Sequence, residues 1–137
     1  KRSIASIIDI TEYKDSIDNL KKNERAYMEF LDNLAIPVFE TGEYGNITYL
    51  NGNAIIKTGY DYDDIKKGLH FKQLLDSNYH DSAVKRRKEC MEGREIRDFK
   101  LTAVKKDGTP FPIILYSTPI FKNNKIAGTR GYFIDDA

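Results

Sequence analysis

The chain has 137 residues, 40% of them hydrophobic, with 22 Lys and Arg against 21 Asp and Glu. This is enough apolar material for one core, and the near-zero net charge excludes a nucleic-acid footprint or a membrane-surface field. No apolar run approaches the ~20 residues of a membrane span, no signal-peptide pattern is read at the start, and the single cysteine, Cys90, excludes an internal disulfide and fits a reducing compartment.

In chain order, Ile7-Ile8-Asp9-Ile10-Thr11 comes first, and Phe133-Ile134-Asp135-Asp136-Ala137 closely repeats it at the other end. An apolar strand running into Asp and a polar break therefore occurs twice, about one domain length apart, as in a tandem array of modules. From Tyr13 the apolar residues fall at Tyr13, Ile17, Leu20, Tyr27, Leu31 and Leu34, a heptad seam with Glu24 at its one missing position. Thr11 caps this predicted helix, and Pro37, which drives Ile36 out of helical geometry, ends it near Ala35. Two readings stay open: a parallel coiled coil between two chains, or an amphipathic helix packed on its own domain. Either way, about three heptads are marginally stable alone, which suits a helix that must change pairing.

After Pro37 the pattern changes to short strands. Val38–Thr41 and Ile47–Leu50 read as a hairpin about Gly42-Glu43-Tyr44-Gly45-Asn46. Asn51 or Asn53 caps a short helix through Lys57, which Gly59 ends in a left-handed cap. Asp61-Tyr62-Asp63-Asp64 reads as a capping box starting a turn that Gly68 ends, and Phe71, Leu74 and Leu75 have helical spacing. A longer helix runs from about Asp81 to Glu92 with Val84, Cys90 and Met91 on it, stopped by Gly93. Strands at Phe99–Val104, Phe111–Ile120 and Ile126–Ile134 follow, joined by turns at Lys106-Asp107-Gly108-Thr109 and Lys122-Asn123-Asn124-Lys125. The first hairpin cannot bury its apolar face alone and must join the later meander. The expected fold is α+β: a five-stranded antiparallel sheet with short helices on one face, preceded by the N-terminal amphipathic helix.

Catalytic and metal chemistry find little support. The only histidines are His70 and His80, no paired-carboxylate or phosphate-loop pattern occurs, and no ligand spacing is present. Cys90 follows Lys85, Arg86, Arg87 and Lys88, yet reads as a small apolar residue at a helix–sheet interface rather than a reactive thiol.

Over residues 36–137 the order and motifs resemble the PAS domain, the sensory module of signalling proteins. The resemblance rests on Gly45-Asn46-Ile47-Thr48-Tyr49-Leu50-Asn51, on Gly59-Tyr60 followed by Asp63-Asp64-Ile65 and Gly68, on Lys106-Asp107-Gly108, and on Gly128-Thr129-Arg130-Gly131 with Asp135. Asp9-Ile10-Thr11-Glu12 is similar to the Asp-Ile-Thr ending that leads from a PAS domain into its next helix, while Asp136-Ala137 departs from it. The resemblance thus implies the tail of a preceding PAS-like module at 1–11, a connector or signalling helix at 12–35 and a PAS domain at 36–137. It also implies an acid–base pair between Asp64 and Lys105 or Lys106.

The same resemblance implies a ligand pocket between the inner sheet face and the short helices. By alternation the inward residues are Phe39, Ile113, Leu115, Ser117, Gly131 and Phe133, faced by Ile56, Phe71, Leu75 and Met91, with the Tyr49 and Tyr116 hydroxyls near it. A core packed solid by these side chains is the competing reading. The opposite sheet face, with Ile114, Tyr116, Arg130, Tyr132 and Ile134, needs a cover, either the connector helix or a second subunit. Flavin-binding light sensors of the family carry a cysteine where this chain has Gly52-Asn53-Ala54-Ile55, so flavin chemistry is not expected. Heme would fall to His80, which reads instead as a solvated cap. No resident cofactor is expected, although an unknown small molecule is.

The expected function is a non-catalytic sensory and dimerisation module of a signal-transduction protein, such as a two-component histidine kinase or a diguanylate cyclase. The alternative is a ligandless protein–protein interaction domain. The expected partners are a second copy, through Tyr13, Ile17, Leu20, Tyr27, Leu31 and Leu34 and the sheet face, and an output domain of the same polypeptide. No nucleic acid and no direct membrane contact are expected of this stretch, and the expected location is cytoplasmic, whether the parent protein is membrane-anchored or free.

Overall fold

The computed structural model describes residues 24–136. Helix α1 (Glu24–Asp32) leads into β1 (Val38–Thr41) and β2 (Ile47–Leu50). Then come α2 (Gly52–Thr58), α3 (Tyr62–Lys66), two single 3-10 turns at Phe71–Leu74 and Ser77–Tyr79, and α4 (His80–Met91). Strands β3 (Ile96–Val104), β4 (Pro110–Lys122) and β5 (Lys125–Asp135) complete the chain. The five strands form one antiparallel sheet in the order β2-β1-β5-β4-β3. The first hairpin joins the meander at the centre, where β1 pairs with β5 from Val38↔Tyr132 to Thr41↔Thr129. This is the α+β sheet with short helices on one face that the strand pattern predicts.

The punctuation acts where the residue chemistry places it. Asn51, not Asn53, caps α2 by accepting from Ala54 N at 2.9 Å, and Gly59 closes that helix at φ 82°. Asp61 and Asp64 form the reciprocal capping box of α3, at 3.1 and 2.9 Å. Strand β3 starts earlier than its hydrophobic pattern suggests, because a bulge with Asp98 at φ 51° lets Ile96 pair with Ser117 while Phe99 pairs with Leu115. Helix α1 ends at Asp32 rather than Ala35. Leu34 N bonds Leu31 O as the last turn tightens, and the Asn51 amide donates to Leu31 O and to Ile36 O in the segment that follows.

The sheet carries a layer on each face. On the inner face α4 lays Ala83 and Cys90 against Phe99, Leu101, Ile113 and Phe133, and α2 sets Ala54 beside Leu50, Leu69 and Leu74. On the outer face α1 buries Tyr27 and Leu31 against Val38, Tyr49 and Tyr132, with Leu34, Tyr116 and Ile134 at the margin. Burying a side chain the size of Leu31 stabilises by about 1.5–3 kcal/mol. The connector helix thus covers the outer face from within the same chain. Tyr27 and Leu31, expected in a seam between two chains, are used here against their own sheet. Tyr13, Ile17 and Leu20 of that seam, with the Asp9-Ile10-Thr11 junction, lie outside the described residues.

Candidate functional site

Between the inner sheet face and the helical layer lies a cavity of about 80 Å³. This exceeds what one water needs and is roughly half the ~150 Å³ of an apolar cavity that admits benzene. Strands present Phe39, Leu50, Ile113, Leu115, Ser117 and Phe133 to it, and the helical side supplies Phe71, Leu75, Ala83 and Arg87. Of the residues expected from alternation, Phe39, Phe71, Leu75, Ile113, Leu115, Ser117 and Phe133 therefore share one space. Gly131 stands beside it, pairing with Phe39 and Ser117; a Cβ there would meet the Phe39 ring at 2.7 Å. The backbone carbonyl of Tyr116 stands closer still, so a close backbone approach and the Phe39 ring take up the room this glycine leaves, and the space is not free for a ligand.

Four expected residues stand elsewhere. Tyr49 lies on the outer face, because the register shift opposite Thr41 and Glu40 leaves Thr48 unpaired and makes Ile47, rather than Tyr49, face inward. Its hydroxyl donates to Asp32 Oδ1 at 2.8 Å, and Tyr116, also outward, stacks on Tyr132 and donates to Asp98 Oδ1 at 2.8 Å. Ile56 is 80% exposed, since α2 turns Ala54 and Thr58, four residues apart, toward the sheet. Met91 falls outside the cavity lining, because the stripe of α4 facing the sheet is Ala83, Arg87 and Cys90. Val84 on the other side is 45% exposed.

Arg87 is the residue sequence reasoning passes over. Its spacing of four from Ala83 and three from Cys90 was the available signal, masked by a run of basic residues that reads as a solvated face. The Arg87 Nη2 group donates to the carbonyls of Gly42 and Glu43 and to Thr41 Oγ1 at 3.4 Å, and the guanidinium lies 5.6 Å from the Phe71 ring centre. Its Nε is buried and meets no acceptor among the described residues. Burial pushes the Arg87 pKa down, the nearby Cys90 partly opposing this. Beside it, Thr41 Oγ1 and Thr129 Oγ1 share a hydrogen bond of 2.7 Å. Arg87, Thr41 and Thr129 thus stand at one end of a cavity whose wall is almost wholly apolar, their polar groups turned to one another and to the backbone.

Cys90 is fully buried with Sγ 4.0 Å from Ser117 Oγ, and burial pushes its thiol up, so it stays protonated as a core residue does. His80 opens α4 with Nε2 3.0 Å from Leu75 O, and His70 caps the first 3-10 turn through Lys72 N. No cluster of three metal-ligating side chains occurs among the described residues. Asp64 pairs with Lys106 at 2.9 Å, the acid–base pair expected. The backbone N–H of Asp61 and the Lys106 ammonium hold the Asp64 carboxyl below its ordinary range.

Asn51 joins the cavity side of the sheet to α1. Fully buried, it accepts from Val38 N and Ala54 N at 2.9 Å and donates to Leu31 O and Ile36 O at 2.8 and 2.9 Å. Glu40 adds a second tie, receiving Tyr27 Oη at 2.9 Å and Arg130 Nε at 3.0 Å. Desolvation raises the phenol pKa of both Tyr27 and Tyr49, with their carboxylate partners adding to it. At the far end of β5, Lys57 of α2 bridges to Asp135 at 2.8 Å.

A five-stranded antiparallel sheet enclosing a small cavity under short helices defines the class as an α+β fold with a ligand-sized space between its layers. The PAS domain profile matches residues 35–135, and the chain belongs to the PAS domain family. Among solved structures it is similar to a PAS domain from a two-component sensor histidine kinase, at 14% identity and TM-score 0.66 over 85% of this chain and 98% of that one. It is similar also to the PAS domain of a Colwellia psychrerythraea protein, at 18% identity and TM-score 0.68 over 85% and 95%. The LOV protein of Rhodobacter sphaeroides matches at 18% identity and TM-score 0.67, over 80% of this chain and 65% of that one. At these identities the likeness carries the fold. No match was found among curated protein sequences. Among the described residues no helix is long and apolar enough to cross a membrane.

Proposed function

We propose that this PAS domain is a non-catalytic sensory module that takes a compact, mostly apolar ligand into the cavity and relays its presence across the sheet to α1. One observation carries the reading: neighbouring residues on the same two strands face the cavity and the helix. Phe39 lines the cavity while Glu40 holds Tyr27, and Leu50 lines it while Tyr49 and Asn51 hold the end of α1. Because strand side chains alternate, a shift of Phe39 or Leu50 on ligand entry moves the anchors of α1 on the opposite face. The Lys57–Asp135 bridge offers a parallel route to the C-terminal end of β5. On this reading residues 1–11 end a preceding module, 12–35 form the signalling helix, and the output lies in a cytoplasmic signalling protein such as a histidine kinase.

The test is native mass spectrometry on gently purified protein, with thermal shifts across a panel of small apolar metabolites. A bound mass or a stabilising shift supports a sensor; a bare mass with no shift across the panel sinks it. A second reading, dimerisation through the helix, is favoured by the open surface groove along α1 lined by Ala26, Glu29, Phe30, Asn33 and Leu34. Ile17→Asp with Leu20→Asp should then give monomers by sedimentation, and an unchanged dimer would refute it.

A further inference from the structure

We propose that Asn51-Gly52 is a covalent modification site, where deamidation of Asn51 while α1 is undocked fixes that helix in its released position. It is the only Asn-Gly pair in the chain. In such a pair the side-chain amide is open to attack by the backbone nitrogen that follows, because glycine has no Cβ to hinder the approach and its backbone turns freely. The Gly52 nitrogen bonds to Asn51 Cγ, the Cγ–Nδ2 bond breaks, and ammonia leaves with the proton of the Gly52 N–H. Water then opens the five-membered imide at one of its two carbonyls, giving aspartate or isoaspartate. No oxidation or reduction occurs, and water is the one co-reactant.

The docked fold blocks this chemistry. Ring closure requires the Gly52 nitrogen to eclipse Cβ of Asn51, a rotation away from the extended ψ of 173° found there. Four hydrogen bonds hold the amide: Val38 N and Ala54 N donate to Oδ1, and Nδ2 donates to Leu31 O and Ile36 O. The residue is also fully buried, away from water. Undocking of α1 takes away the Leu31 carbonyl, draws the following segment with it and admits water, so the reaction follows the fraction of time the helix is open. The product then opposes redocking. Aspartate sets a carboxylate oxygen against Leu31 O and Ile36 O where Nδ2 had donated, which leaves buried acceptors facing one another. Isoaspartate instead adds a methylene to the backbone between β2 and α2. No step requires a ligand in the cavity.

The experiment incubates the 137-residue chain in warm, mildly alkaline buffer and follows Asn51 by peptide mapping, each event adding one mass unit. A peptide of residues 46–57 is the unprotected reference. The folded chain should react about tenfold or more slowly than the peptide. Leu31→Ala strips α1 of a fully buried side chain and should raise the rate about tenfold or more. Leu101→Ala opens a similar space on β3, at the opposite edge of the sheet from β2, and should raise it less. Should Leu31→Ala not fold, Tyr27→Phe, which loses only the hydroxyl bond to Glu40, should move the rate in the same direction. Gly52→Ala should slow the reaction in chain and peptide alike; its Cβ meets only Asp32 O, at 3.6 Å, so the fold is kept. Amide exchange on the separated deamidated chain should show protection lost in α1 and retained in the sheet. A folded chain as fast as the peptide, equal acceleration by the Leu31 and Leu101 variants, or protection of α1 kept after deamidation overturns the proposal.

Discussion

Asn51→Ala should separate the domain from its signalling helix. The side chain is fully buried and makes four hydrogen bonds of 2.8 to 2.9 Å, two from the N–H groups that open β1 and α2, one to the Leu31 carbonyl in the last turn of α1 and one to the Ile36 carbonyl in the segment that follows it. A buried polar group left without a partner costs about 1–3 kcal/mol. Leu31 O keeps a second bond from Leu34 N, and water entering the new space recovers part of the rest. The expected loss is about 3–5 kcal/mol, a large share of the roughly 5–15 kcal/mol that holds a domain. Urea unfolding measures the total, and amide exchange locates it: protection in α1 should fall first. Asn51→Asp sharpens the point, since it keeps the two acceptor bonds but sets a carboxylate oxygen against Leu31 O and Ile36 O. It should be at least as damaging as alanine. A loss below about 1 kcal/mol for Asn51→Ala, or unchanged exchange in α1, would refute the reasoning.

Two further outcomes follow from the same contacts. Burial holds the phenols of Tyr27, Tyr49 and Tyr62 above their ordinary value of 10.0, so the unfolded chain releases these protons at lower pH than the folded one. Their contribution to stability is complete below about pH 10 and is lost as pH rises from there toward the folded values; urea midpoints should fall over that window, and Tyr27→Phe with Tyr49→Phe should flatten the fall. Gly128→Ala would drive a Cβ into the backbone carbonyl of Thr41, which cannot give way, so it should destabilise by about 1–3 kcal/mol and loosen the β1–β5 pairing. Gly42→Ala makes ordinary contacts, with Thr48 Cγ2 at 3.5 Å and Asn46 O at 4.0 Å, and serves as the control, with a change within about 0.5 kcal/mol by the same urea assay.

Much of the fold is legible locally because local chemistry decides it. Gly59 must take a left-handed cap, Asp61 and Asp64 can satisfy each other's backbone, and Pro37 cannot sit inside a helix; each marks a boundary close to the one observed. The cavity was partly legible, because plain alternation in β4 and β5 puts Ile113, Leu115, Ser117 and Phe133 on one face. It misplaced Tyr49, since an unpaired Thr48 inverts the alternation in β2 and pairing with β1 alone decides where that residue falls. Ile56 and Met91 were misplaced on helices too short or too charged for an apolar stripe to show.

By itself, the sequence determined the order of elements, the antiparallel meander and the family, all of which depend on residues near each other in the chain. Tertiary structure alone decided which partner each face meets. The seam residues Tyr27 and Leu31 are equally suited to a second helix or a sheet, and only the apolar outer face formed when β1 docks on β5 settles them inward. Arg87 likewise gains its meaning from Gly42, Thr41 and Thr129, brought beside α4 by that same pairing. Contacts across such separations are set by the assembled core, because burial rewards any apolar partner that fits and names none in advance.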